Sequence, residues 1–159
     1  MDIKQRKKQL INERVFKSAA TNRGRRAVSS SVIAIFLLRL VLFILDVALL
    51  PTEGIRVGAV SHIFSALLLL VLYMIFDGNK GLTSLISISA IVRVIVYFSG
   101  IHHEVIRAGL GVYTGVFIAV MLLQFLIAVL ISSATVAQGY FKVRQEINLQ
   151  LRKEMIGKR

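Results

Sequence analysis

The chain has no cysteine, no tryptophan and one proline in 159 residues. Without cysteine there is no disulfide, no thiolate metal site and no cysteine nucleophile, and the redox state of the compartment leaves no trace in the composition. Without tryptophan, an aromatic belt at a membrane boundary falls to Tyr73, Tyr97, Tyr113 and Tyr140, all near the ends of apolar runs. Acidic residues are scarce too: 8 stand against 20 lysines and arginines. Charged residues make up only 18% of the chain, and most of them crowd into its two ends. A soluble domain of this size carries far more charge on its surface.

What is present is apolar: 56% of residues are hydrophobic, in long runs between basic ends. The formal net charge of +12 raises nucleic acid as a partner. The basic residues flank apolar spans, however, as the insertion rule and anionic headgroups require, and the aromatic and glycine signatures of RNA-binding modules are missing. The composition points to a lipid bilayer with anionic headgroups at its inner leaflet and away from nucleic acid.

Residues 1–27 hold nine basic residues, with Ile3, Leu10, Ile11, Val15 and Ala19 close to helical spacing. This predicts a basic amphipathic cytoplasmic arm on the inner leaflet, with a break between Thr21 and Gly24. Four apolar spans follow at about 29–50, 58–76, 82–99 and 113–137, forming a transmembrane domain over 28–138. Each has the roughly 18–25 residues needed to cross about 30 Å of hydrocarbon. The first run is too long for a signal peptide and reads as a retained span. Pro51 to Gly54 is a turn signal, and Asp77 to Gly81 is a tight connection that makes spans two and three an antiparallel hairpin. From 139 to 159, Val143, Ile147, Leu151 and Met155 recur every four residues, which predicts a basic amphipathic tail continuing span four. The predicted fold class is thus an all-α integral membrane protein, a four-transmembrane-helix bundle with amphipathic cytoplasmic helices at both ends.

Orientation follows from lysine and arginine. The arm has nine, the tail from Lys142 six and the hairpin loop Lys80, whereas the other two loops hold only Arg56 and Arg107. The positive-inside rule then places both ends in the cytoplasm. Short loops, no glycosylation sequon and no targeting peptide suit a bacterial inner membrane.

Four polar residues need a reason to be inside spans. Arg39, Arg93 and Gln124 fall near one depth, about 15 Å from the inner edge, and Asp46 lies seven residues after Arg39 on the same face. A charge at that depth costs at least about 2.5–3.5 kcal/mol, so the arginines are expected to turn inward, towards a partner or towards water. Three readings follow: an intramembrane polar network of Arg39, Asp46, Arg93 and Gln124, contact with a charged residue of another protein, or an anion or lipid-phosphate site.

On the outer side, His62, His102, His103 and Glu104 form a possible ligand or proton site. Adjacent histidines rarely both point inward, and no HxxxH or HExxH spacing occurs, so no metal is assigned and a wet loop is the plainer reading. Gly111, Gly115 and Ala119 recur every fourth residue and predict helix packing, within the bundle or between copies.

The stretch Arg39-Leu-Val-Leu-Phe-Ile-Leu-Asp46 resembles the first-span Arg-x6-Asp pattern of the RDD family of small membrane proteins over these eight residues. Here the arginine lies deeper than the family's, and the family's further aspartate has no counterpart. Small multidrug-resistance transporters share the number of spans but carry a buried glutamate in span one and lack such basic ends. Neither resemblance carries a function or a cofactor to this chain.

Nothing in the residues points to an active site. The leading expectation is a non-enzymatic accessory, assembly or regulatory subunit of a membrane complex, with other membrane proteins or further copies as partners. The alternative is an oligomeric small transporter or channel for an anionic solute or lipid using the midplane arginines. A membrane enzyme built on the outer histidines and acids is a third class.

Overall fold

The computed structural model describes residues 3–49 and 67–156, the side chains of Ile101 and Glu104 excepted. Among the described residues every regular element is helical. Helix α1 (Ile3–Ile11) runs into a π turn (Asn12–Phe16), and helix α2 (Ala19–Leu49) follows. Ser18 starts α2 as an N-cap: its hydroxyl accepts the Thr21 backbone N–H at 3.4 Å and the Thr21 hydroxyl at 3.1 Å. At 31 residues, α2 is roughly 46 Å long and exceeds the hydrocarbon by several turns.

No break occurs between Thr21 and Gly24. The helix runs unbroken through both residues, and both are buried. A Cβ on Gly24 would stand 2.2 Å from the carbonyl oxygen of Val136 and 2.9 Å from Cβ of Tyr140. This glycine lets two helices touch backbone to backbone. It does not end either of them.

Description resumes with helix α3 (Leu67–Phe76), the inner half of the expected second span; residues 58–66 of that span lie outside the described residues. Gly78 ends α3 in a Schellman motif at φ +108°, its N–H bonding the Ile75 carbonyl at 2.9 Å while the Asn79 N–H bonds that of Met74 at 3.1 Å. A 3-10 turn (Lys80–Leu82) then opens helix α4 (Thr83–Val96), which a π turn (Tyr97–Ile101) extends into the short helix α5 (His102–Arg107). Helix α6 (Gly111–Ser133) returns, packed most extensively on α4.

Among the described residues, three helical stretches are long and apolar enough to cross a membrane: Ala19–Leu49, Lys80–Gly100 and Gly111–Ser133. Their outer faces are lined with exposed Ile33, Leu37, Ile44, Ile88, Ile95 and Leu126, which no aqueous surface of this size would carry.

Helix α7 (Thr135–Ile156) does not continue α6 straight on, as the sequence suggests. Ala134 is extended (φ −63°, ψ 123°), and beyond it α7 turns to pack along α2. Its buried residues Ala137, Tyr140, Phe141, Arg144, Ile147 and Leu151 fall on one face at helical spacing. Leu10 and Val15 of the N-terminal arm join the same cluster, so much of the arm's apolar side is taken up by protein. A second cluster at the other end gathers Leu42, Ala90, Tyr97, Val105, Tyr113, Phe117 and Met121.

Candidate functional site

Two polar constellations stand out, one inside the spans and one at the end where both arms lie. The first is centred on Arg39. The residue is 7% exposed, and among the described residues neither Nε nor Nη1 meets a hydrogen-bond partner. Arg93 of α4 and Asp46 of α2 are both within electrostatic reach of it. Asp46 is two turns along α2, about 10 Å in axial rise, and accepts a hydrogen bond from the Tyr113 hydroxyl of α6. Beside that pair, the Tyr97 and Thr114 hydroxyls are bonded at 2.6 Å and the Tyr97 ring stacks on Phe117 at 4.4 Å.

Gln124 is fully buried in α6. Its amide N–H groups reach α4, at 3.2 Å to the Ile86 carbonyl and 3.3 Å to the Ser89 hydroxyl, and its Oε1 has no partner. It therefore fastens α6 to α4, whereas Tyr113 and Asp46 fasten α6 to α2. The sequence suggests a membrane boundary belt for Tyr113. The phenol's hydrogen bond to the carboxylate of an apolar helix has no short-range signature.

The outer residues are less gathered. His62 lies outside the described residues. His102 is half-buried against Phe98 and Tyr97, with ring centroids at 4.8 and 5.8 Å, and its buried Nδ1 has no partner. His103 is exposed. Glu104 falls in α5, its side chain outside the described residues. Among the described residues no three His, Cys, Asp or Glu side chains could hold one metal ion. Gly111, Gly115 and Ala119 lie on an exposed face of α6, and no described residue comes within 4 Å of a Cβ built on either glycine.

The second constellation is a clasp around Asp77, in the loop between α3 and α4. Lys7 of α1 reaches both carboxylate oxygens at 2.9 and 3.0 Å, and Arg144 of α7 reaches Oδ1 at 2.6 Å. Arg144 is nearly buried and Lys7 about one-third exposed. Asn148 donates to the Asp77 carbonyl at 3.3 Å, and the Tyr140 hydroxyl donates to that of Phe76 at 2.5 Å. Burial pushes the Tyr140 phenol above its ordinary range. A Cβ on Gly78 would stand 2.4 Å from that of Arg144, so the left-handed turn and the close approach of α7 need the same glycine.

Further contacts tie the arms together. Arg14 donates to Gln150 at 3.0 Å, Arg6 lies 3.7 Å from Glu154, and Arg25 sits 4.3 Å above the Phe16 ring. In the sequence Asp77 reads only as part of a turn. The available signal was a lone acid in a loop facing two strongly basic arms.

Compared with known proteins, the chain matches no family model, and neither a curated protein nor a solved structure is significantly similar to it.

Proposed function

We propose that the chain crosses the membrane four times with both ends in the cytoplasm and serves as a non-enzymatic accessory, assembly or regulatory subunit of a membrane complex. The supporting observation is the clasp. Lys7, Asp77 and Arg144 fold α1, the hairpin loop and α7 into one layer at a single end of the bundle. That layer and the adjoining start of α2 present Lys4, Lys8, Lys17, Arg23, Lys142 and Lys153 to the surroundings. Near an anionic leaflet each such side chain contributes about 1 kcal/mol of attraction, so the layer suits the inner face of the membrane. A folded basic platform beneath lipid-facing helices is a surface for docking, on headgroups and on the acidic surface of a neighbouring membrane protein.

Native mass spectrometry of the protein, extracted gently from its own membrane, tests this. A defined complex with another membrane protein is the expected result. A bare monomer, with none of its mass due to partners under several mild detergents, would sink the accessory reading. A homo-oligomer retaining an anion would favour transport.

A further inference from the structure

Helix α7 has a second face. Its buried residues take one side of the helix. On another stand Lys142, Leu149 and Ile156, all exposed and spaced so that each lies two turns beyond the last. Leu149 is 56% exposed and Ile156 76%. Single exposed aliphatic side chains are ordinary, but two on one stripe, with the aliphatic stem of a lysine, form a seam.

The seam faces away from the rest of the chain. Arg144 and Asn148 touch the hairpin loop, and Leu149 stands about 140° and 100° round the helix from them. Gln150, which meets the arm at Arg14, is about 100° away on the other side. Leu149 thus points neither into the loop nor into the arm, and is open to a second copy in the same membrane.

The charges beside the seam select one arrangement. Glu146 and Lys153 lie along one flank, Gln145 and Arg152 along the other. Among the described residues, none of Glu146, Arg152 and Lys153 forms an ion pair within the chain. Two copies of α7 set antiparallel about Leu149 bring like flanks together with their ends exchanged. Glu146 then meets Lys153 of the other copy, Gln145 meets Arg152, and Ile156 lies on the stem of Lys142. A parallel pair would instead bring unlike flanks together and set Lys153 against Arg152. An acidic partner fits less well, because Glu146 would face it.

We propose that α7 pairs antiparallel with α7 of a second copy of this chain, about a two-fold axis beside Leu149. The contact is isologous, so symmetry makes each of its pairs twice. At about 21 Å the seam is shorter than a standard interface, and it joins copies that one bilayer already confines. The pairing is independent of the accessory role and leaves Lys4, Lys8, Lys17 and Arg23 to the headgroups.

The test uses the full chain in its own membranes, with cysteines introduced into a sequence that has none. The substituted positions, 142, 146, 149, 153 and 156, are all exposed. Under mild oxidation Leu149→Cys should give a disulfide-linked dimer. Lys142→Cys and Ile156→Cys should each give almost none, because like positions stand about 21 Å apart and a disulfide spans roughly 4–7 Å. A chain carrying both should crosslink again. In the Leu149→Cys chain at low salt, Glu146→Lys should slow dimer formation about threefold or more, and adding Lys153→Glu should restore it. Absence of a Leu149→Cys dimer would overturn the proposal. So would equal crosslinking by all three single variants, the mark of a parallel pair or of chance collision. Crosslinking of Leu149→Cys only to a different protein would overturn it in favour of a foreign partner.

Discussion

Lys7 and Arg144 share the Asp77 carboxylate, but their environments differ, and burial decides how much each bond matters. Removing the carboxylate leaves the Arg144 guanidinium buried and uncompensated, so Asp77→Ala should cost about 3 kcal/mol or more. Lys7 is partly solvated, and Lys7→Ala should cost less than about 1 kcal/mol. Thermal melts of the two variants in one detergent check the asymmetry; equal losses would mean that burial does not decide the strength of the two bonds. Tyr140 adds a dependence on pH. Its neutral phenol donates to Phe76, and burial raises it above the ordinary value of 10.0. The unfolded chain therefore ionises first, so this contribution is complete below pH 10 and declines as pH rises beyond it. Tyr140→Phe should remove that alkaline decline, read from melting temperature between pH 8 and 11.

Among the helices, close approach matters more than composition. Val or Leu at position 24 would force the backbones of α2 and α7 apart, because Val136 leaves no room for a Cβ. We expect Gly24→Val to release α7 while leaving the apolar helices intact, seen as new protease cleavage within residues 135–156 at nearly unchanged helix content. Gly78→Ala should be as damaging, combining a positive φ with contact to Arg144. These positions also mark where sequence reading runs out. The long apolar stretches and the hairpin turn at Asp77–Gly81 were legible, since length against bilayer thickness and turn chemistry are local. The course of α2 through Gly24 was not: a glycine among polar residues signals a break until the neighbouring helix is known. Nor was the bend at Ala134, which has neither proline nor glycine to mark it. At the site, the depth of Arg39 could be counted along the chain, but the Tyr113–Asp46 bond joins residues 67 apart in sequence.

For the molecule as a whole, the clasp places the arm, the hairpin loop and the tail at one end, with α5 and the Tyr113 end of α6 at the other. The proposed topology then makes a simple labelling forecast. Because the chain has no cysteine, single cysteines can be introduced without background. Lys8→Cys and Lys153→Cys should react with a membrane-impermeant maleimide only from the cytoplasmic side, and Arg107→Cys only from the opposite side. Labelling of positions 8 and 107 from the same side would refute the arrangement.

The clasp also has a bearing on the order of events during synthesis. Arg6 and Arg14 pair with Glu154 and Gln150, so the N-terminal arm is held by a helix made long after it, Gln150 following Arg14 by 136 residues. While the spans are being threaded into the bilayer, α7 does not yet exist and the N-terminal lysines and arginines have no protein partner. They are free to fix the orientation of the first span when that choice is made. Only after α7 has been made can Lys7 and Arg144 meet at Asp77. Under the proposed topology, the charges that orient the nascent chain are thus partly reassigned afterwards to fastening α1 to α7, and the lock closes late.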